Sequence, residues 1–152
     1  MSVRSNFAAA AVLALAATVL SLPAGTADAA TPSVRFSKVY YDSPGADHGS
    51  NTSLNGEWIR ITNYSSYKKS LTGWTVRDKQ SHIYKFGTFS LSAGSSVTLY
   101  TGKGTNAWNK RYWGQSNYVW NNSGDTAYLK TSSGTAVDSC SWTSLGSGYK
   151  SC

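Results

Sequence analysis

Gly56-Glu57-Trp58-Ile59-Arg60-Ile61-Thr62-Asn63 and then Leu71-Thr72-Gly73-Trp74-Thr75-Val76-Arg77-Asp78 decide the fold of this chain. In the first stretch Ile59 and Ile61 alternate with Trp58, Arg60 and Thr62, the period of a strand with one buried and one wetted face. Thr75-Val76-Arg77 alternates in the same way, and Leu71, Trp74 and Val76 are apolar residues suited to the space between two packed sheets. These three and the two isoleucines are the predicted core signature. Asn63 and Asp78 end the stretches, where their short polar side chains can bond loop amides. Gly73 marks a bulge or a positive-φ position.

Outward from these two strands the pattern recurs. Val34 to Tyr41, Ile83 to Phe86, Val97 to Tyr100, Tyr118-Val119-Trp120, Ala127 to Lys130 and Ala136 to Trp142 read as further strands. Turn signals separate them at Ser92-Ala93-Gly94, Asn121-Asn122-Ser123-Gly124-Asp125 and Ser132-Ser133-Gly134. Seven to eight short strands at this spacing predict an all-β sandwich. Composition agrees, since Glu57 is the only glutamate and 10 of the 16 alanines precede Ala30. A chain so poor in helix formers is no helical bundle or coiled coil. Its 6 Trp, 10 Tyr and 4 Phe bury too much apolar area for a disordered one.

The first 29 residues read as an address. Arg4 precedes an apolar run from Phe7 to Leu20, Pro23 and Gly25 interrupt it, and Ala27-Asp28-Ala29 has the form of a cleavage site. The expected architecture is therefore a signal peptide at 1–29 and a domain at 30–152. The expected location is extracellular, with no membrane insertion after cleavage. Because Arg4 and Asp28 leave together, the mature chain keeps the net charge of +7. Cys140 and Cys152, close in sequence and in an oxidising compartment, are expected to pair. That bridge would tie down the Gly/Ser-rich tail at 143–152 beyond a core at about 34–142.

With these residues in place, the chain resembles the lamin tail domain family. The family shows a Gly-Glu-aromatic-aliphatic strand ending in Asn, then a Leu-x-Gly-Trp strand ending near Asp, as at 56–63 and 71–78. Leu91-Ser92-Ala93-Gly94 and Asn121-Asn122-Ser123-Gly124-Asp125-Thr126-Ala127, with Leu129, are similar to its later landmarks. The resemblance runs from Val34 to Trp142. Bacterial secreted members are most similar, notably in Tyr40-Tyr41-Asp42-Ser43-Pro44-Gly45 and Arg111-Tyr112-Trp113-Gly114. It implies an immunoglobulin-like sandwich and a binding or tethering module, without an enzymatic activity.

The residues themselves offer little chemistry for catalysis. There is no Gly-x-Ser-x-Gly elbow, His-Glu-x-x-His pair or phosphate loop, and Gly102-Lys103-Gly104-Thr105 lacks the glycine spacing of one. The alternative is a small secreted hydrolase or nuclease using Asp and His loop residues, with His48 beside Asp47 as the candidates. Oxygen-bearing Asp42, Asp47, Asn55 and Glu57 make calcium the one conceivable cofactor, although their spacing is not that of an EF-hand. An Asx-rich loop capping its own backbone is the favoured account of them.

Binding is the favoured function. A charge of +7 attracts polyanions, and Lys103, Trp108, Lys110, Arg111, Tyr112 and Trp113 interleave cations with rings, a combination suited to phosphate contact and stacking. The expected partner is an extracellular polyanion such as nucleic acid or an anionic cell-wall polymer, with a glycan or a protein as alternatives. The protein is expected to be a monomer. Trp113 and Trp120 could instead belong to the core.

Overall fold

In the computed structural model, which describes residues 30–143 and 146–152, β-branched and aromatic residues at alternate positions form strands. The signal peptide predicted for 1–29 lies outside the described residues. In chain order the elements are β1 (Val34–Tyr40), the single turn α1 (Asn51–Leu54), β2 (Trp58–Asn63), β3 (Lys69–Ser70), β4 (Thr75–Arg77) and β5 (Ile83–Lys85). They continue with β6 (Ser90–Leu91), β7 (Ser96–Tyr100), β8 (Lys110–Tyr112), β9 (Gly124–Lys130), β10 (Ala136–Thr143) and β11 (Tyr149–Ser151).

One sheet has the order β11-β1-β2-β7-β8 and the other β10-β9-β4-β5, while β3 and β6 form a small ribbon. All pairings are antiparallel except β7 with β8. This is the predicted immunoglobulin-like sandwich. The inward phase of the alternation fills its interior: Phe36, Val39, Ile59, Ile61, Val97 and Leu99 from the first sheet meet Val76, Ala127 and Leu129 from the second. Trp120 and Trp142 cross edge to face within this core at 5.7 Å. Trp74, expected inside, is half-buried and packs on the core from its margin.

Three segments depart from the sequence reading. Tyr118-Val119-Trp120 is a loop, not a strand, because its amides bond to a side chain rather than to a neighbouring strand. Lys110–Tyr112 is a strand, parallel to β7, within a stretch read only for its side chains. The tail is more than a stapled coil. Tyr149–Ser151 pairs with Lys38–Tyr40 at the edge of the first sheet, and Cys152 is bonded to Cys140 of β10 in the second. The disulfide therefore ties the two sheets together. Asp138 Oδ2 makes a second tie by accepting the Phe36 N–H at 2.7 Å, beside the irregularity in β1 register between Phe36 and Lys38.

The polar signature residues hold the loops. Asn63 donates through Nδ2 to the carbonyls of Tyr67, Leu91 and Ser92, and its Oδ1 accepts the Ser65 N–H and hydroxyl. Gly73 has φ +77, and a Cβ there would lie 2.9 Å from the Ser132 Cβ.

Candidate polymer-binding face

The register of the first sheet aligns one aromatic residue from every strand. Tyr149 pairs with Tyr40, Tyr40 with Trp58, Trp58 with Tyr100, and Tyr100 with Tyr112. Register partners project from the same face. It is the outward face here, because the adjacent Val39, Ile59 and Leu99 are buried. Tyr40 stacks on Tyr149 at 5.2 Å and on Trp58 at 4.8 Å, and Tyr100 stacks on Tyr112 at 5.2 Å. Near-parallel rings separated by about the strand spacing of 4.8 Å stand upright on the sheet. They present edges and phenolic hydroxyls to solvent. Ring edges are the positive part of the aromatic quadrupole.

The next register row is cationic, Lys38–Arg60–Thr98–Lys110. Lys38 Nζ lies 4.2 Å from the Tyr149 ring centroid and 5.0 Å from that of Tyr40, and the Arg60 guanidinium lies 5.0 Å from that of Trp58. Arg60 Nε also donates to Thr98 Oγ1 at 3.3 Å. No aspartate or glutamate occupies an outward position on these five strands. Trp108, 72% exposed, borders a hollow of about 290 Å³ with Arg60, Ser96 and Thr98. Its exposed indole stands beside the cationic row and stacks on none of the upright rings.

The glycine loop closes the far end of this row. Lys103 N–H donates to Asn51 Oδ1 at 2.7 Å, and its carbonyl accepts from Asn51 and Asn55 Nδ2, each at 3.0 Å. A Cβ at Gly104 would fall 2.3 Å from a Tyr112 ring carbon, so only glycine lets the loop lie against that ring. Of the residues singled out from sequence, Trp108, Lys110 and Tyr112 lie on this face, and Lys103 is exposed in the loop that closes it.

Arg111 and Trp113 belong elsewhere. The strand alternation turns Arg111 inward, where its guanidinium lies 4.0 Å from the Phe89 ring centroid and bonds to the Ala107 and Lys110 carbonyls. Trp113 packs edge to face on Tyr84 and Trp120 at the core margin. Sequence reading missed Lys38, Tyr40, Trp58, Arg60, Tyr100 and Tyr149. All but Tyr149 lie in stretches read as strands, but that those strands are neighbours could not be seen there. Tyr149 lies in a tail read as a stapled coil, which the structure pairs as β11.

The four candidate calcium ligands are all engaged by groups of the protein itself. Glu57 is fully buried, and its carboxylate accepts the Thr101 hydroxyl at 2.7 Å and the N–H groups of Val119 and Trp120 at 3.0 and 2.9 Å. Burial pushes this carboxyl up to about 7, against the opposing pull of those hydrogen bonds. Asn55 is spent on the Lys103 carbonyl, while Asp42 and Asp47 share the Asn122 amide at 2.9 and 3.5 Å. Among the described residues no three acids, histidines or cysteines converge as metal ligands.

The candidate catalytic pair fares similarly. His48 lies on an exposed loop, and no hydrogen bond joins it to an acid or hydroxyl among the described residues. The histidine that does meet a carboxylate is His82, whose Nδ1 lies 2.5 Å from Asp78 Oδ2. The same carboxylate accepts the Gln80 and His82 N–H groups, so it closes the β4–β5 turn. Asp125 does the equivalent work for Asn121 and Thr126.

Two packed sheets of this order make the chain an immunoglobulin-like β-sandwich domain. The model of the lamin tail domain matches residues 27–144, most of the sequence, and the chain belongs to that family. The family is one of non-enzymatic immunoglobulin-like domains. A comparison with curated proteins found no match.

Proposed function

We propose that this chain is a secreted, non-catalytic module that holds a linear phosphodiester polymer on the outer face of its five-stranded sheet. The observation that carries this reading is the continuous row of five register-paired aromatics beside Lys38, Arg60 and Lys110, with no acid among them. Upright rings favour anions over neutral sugars, since sugars stack on ring faces and most of these faces already touch one another. Trp108 is the exception and suits a base or another flat group.

The test is a salt-resolved binding screen with single-stranded DNA, a glycerol-phosphate polymer, an acidic polysaccharide and a neutral polysaccharide. Retention of the phosphodiester chains should fall steeply with salt, because each phosphate contact releases condensed counterions. Salt-insensitive retention of the neutral polymer would transfer the face to glycan binding. Retention of none at low salt would leave a protein tether.

A further inference from the structure

The second sheet carries a different array on its own outer face. Val76, Ala127 and Leu129 are fully buried, so Thr75 and Arg77 of β4 and Tyr128 and Lys130 of β9 point away from the core. The register sets Arg77 opposite Tyr128, and Thr75 between Lys130 and Lys85. Arg77, Lys79, Lys130 and Tyr128 border a hollow of about 350 Å³ beside the exposed Ile83. Asp78, the one carboxylate at its edge, is buried and already accepts from Gln80 and His82. Among the described residues the sole ion pair is that of His82 with Asp78, so the three cations face the hollow without an acidic partner. Arg77 Nε donates to Thr75 Oγ1 at 3.4 Å, which braces the guanidinium and leaves its terminal N–H groups for an oxyanion.

We propose that this hollow takes a second phosphodiester strand, so that one molecule bridges two polymer chains. The proposal rests on the polymer reading of the first face and adds a valence to it. The two outer faces of a sandwich point in opposite directions, so a chain lying along one does not reach the other without rounding the edge. Two separate chains meet both faces directly. Occupying both also raises the effective concentration at each site, which tightens retention on a dense polymer mesh without any new contact.

The experiment captures the protein on immobilised single-stranded DNA and then offers a second, fluorescent single-stranded DNA. Wild type should retain the second strand. Arg77→Ser combined with Lys130→Ser, two outward positions whose loss leaves the core intact, should bind the first strand within about twofold and retain at least tenfold less of the second. Trp58→Ala combined with Arg60→Ala should bind one strand weakly through the hollow, and the combination of all four changes should bind none. Matching melting temperatures exclude misfolding as the cause. Capture of one strand but never a second by wild type overturns the bridge and leaves the first face standing. Undiminished bridging by Arg77→Ser/Lys130→Ser also overturns it, placing the second valence in a protein dimer. Failure of wild type to capture even the first strand overturns the polymer reading itself, and the bridge with it.

Discussion

The backbone N–H of Trp120 donates to Glu57 Oε1 at 2.9 Å across 63 residues of sequence. The neighbouring Val119 N–H donates to Oε2 of the same carboxylate at 3.0 Å. A single side chain thus replaces the strand that 118–120 would otherwise need. It also seats Trp120 in the core, where Trp113 and Trp142 pack on it. The sole glutamate of the chain is an internal ladder rung.

Removing that rung should be costly. Glu57→Ala leaves two buried N–H groups and the Thr101 hydroxyl without their acceptor, at about 1–3 kcal/mol each for an orphaned buried group. Urea unfolding should show a total loss of about 3 kcal/mol or more, with hydrogen exchange accelerated at Val119 and Trp120. A loss under 1 kcal/mol would mean that water replaces the carboxylate.

The same group gives the fold a definite pH dependence. Burial holds its carboxyl up at about 7 in the folded protein, against 4.5 for a free glutamate. Between these values the native state binds the extra proton, so this contribution to stability declines as pH rises and is level outside the window. The stability gap between wild type and Glu57→Gln should narrow from about pH 4.5 to about pH 7, by at most about 1.4 kcal/mol per unit. Urea midpoints across that range decide the matter, and a widening gap would contradict it.

Reduction of Cys140–Cys152 should release β11 first. In the chain-entropy account a loop of this size contributes about 3 kcal/mol. The rest of the first sheet keeps its own apolar core. Reduced protein should therefore melt lower but cooperatively, with amide protection lost at Tyr149–Cys152 and kept at Ile59 and Ile61. Loss of protection throughout would show that the sandwich depends on its bridge.

Calcium should leave the melting temperature unchanged, since Glu57 turns its oxygens to Thr101, Val119 and Trp120. A saturable thermal shift with millimolar calcium would require Asp42 and Asp47 to recruit other ligands.

On the polymer face, Trp108→Ala should weaken single-stranded DNA binding by about 1–3 kcal/mol, the loss of one stacked base. Lys38→Ala and Lys110→Ala should instead lower the slope of log affinity against log salt by about 0.7 each. Arg111→Ala should lower stability and leave that slope alone, because its guanidinium sits over Phe89. An unchanged slope in both lysine variants would remove the face from phosphate contact.

Local alternation was enough to place most of the strands and the sandwich class. Whether a side chain faces inward or outward is a property of a few consecutive residues, so Ile59 against Trp58 could be assigned from the sequence alone. The Asp78 role was legible for the same reason, since it acts on the Gln80 and His82 amides close by, whereas Asn63 also reaches the distant Leu91 and Ser92 carbonyls and Gly73 lies against Ser132. What tertiary structure decided was adjacency. Tyr149, Tyr40, Trp58, Tyr100 and Tyr112 become one row only because β11, β1, β2, β7 and β8 take that order, and no local pattern encodes strand order. Glu57 read as a candidate oxygen ligand and proved to be a buried acceptor, because its three donors come from Thr101 and the segment at 119–120. Arg111 and Trp113 turned inward for a comparable reason. Arg111 lies in the strand that pairs in parallel with β7 and Trp113 follows it directly, and that long-range pairing, not the local mixture of charge and aromaticity, fixed which side chains meet water.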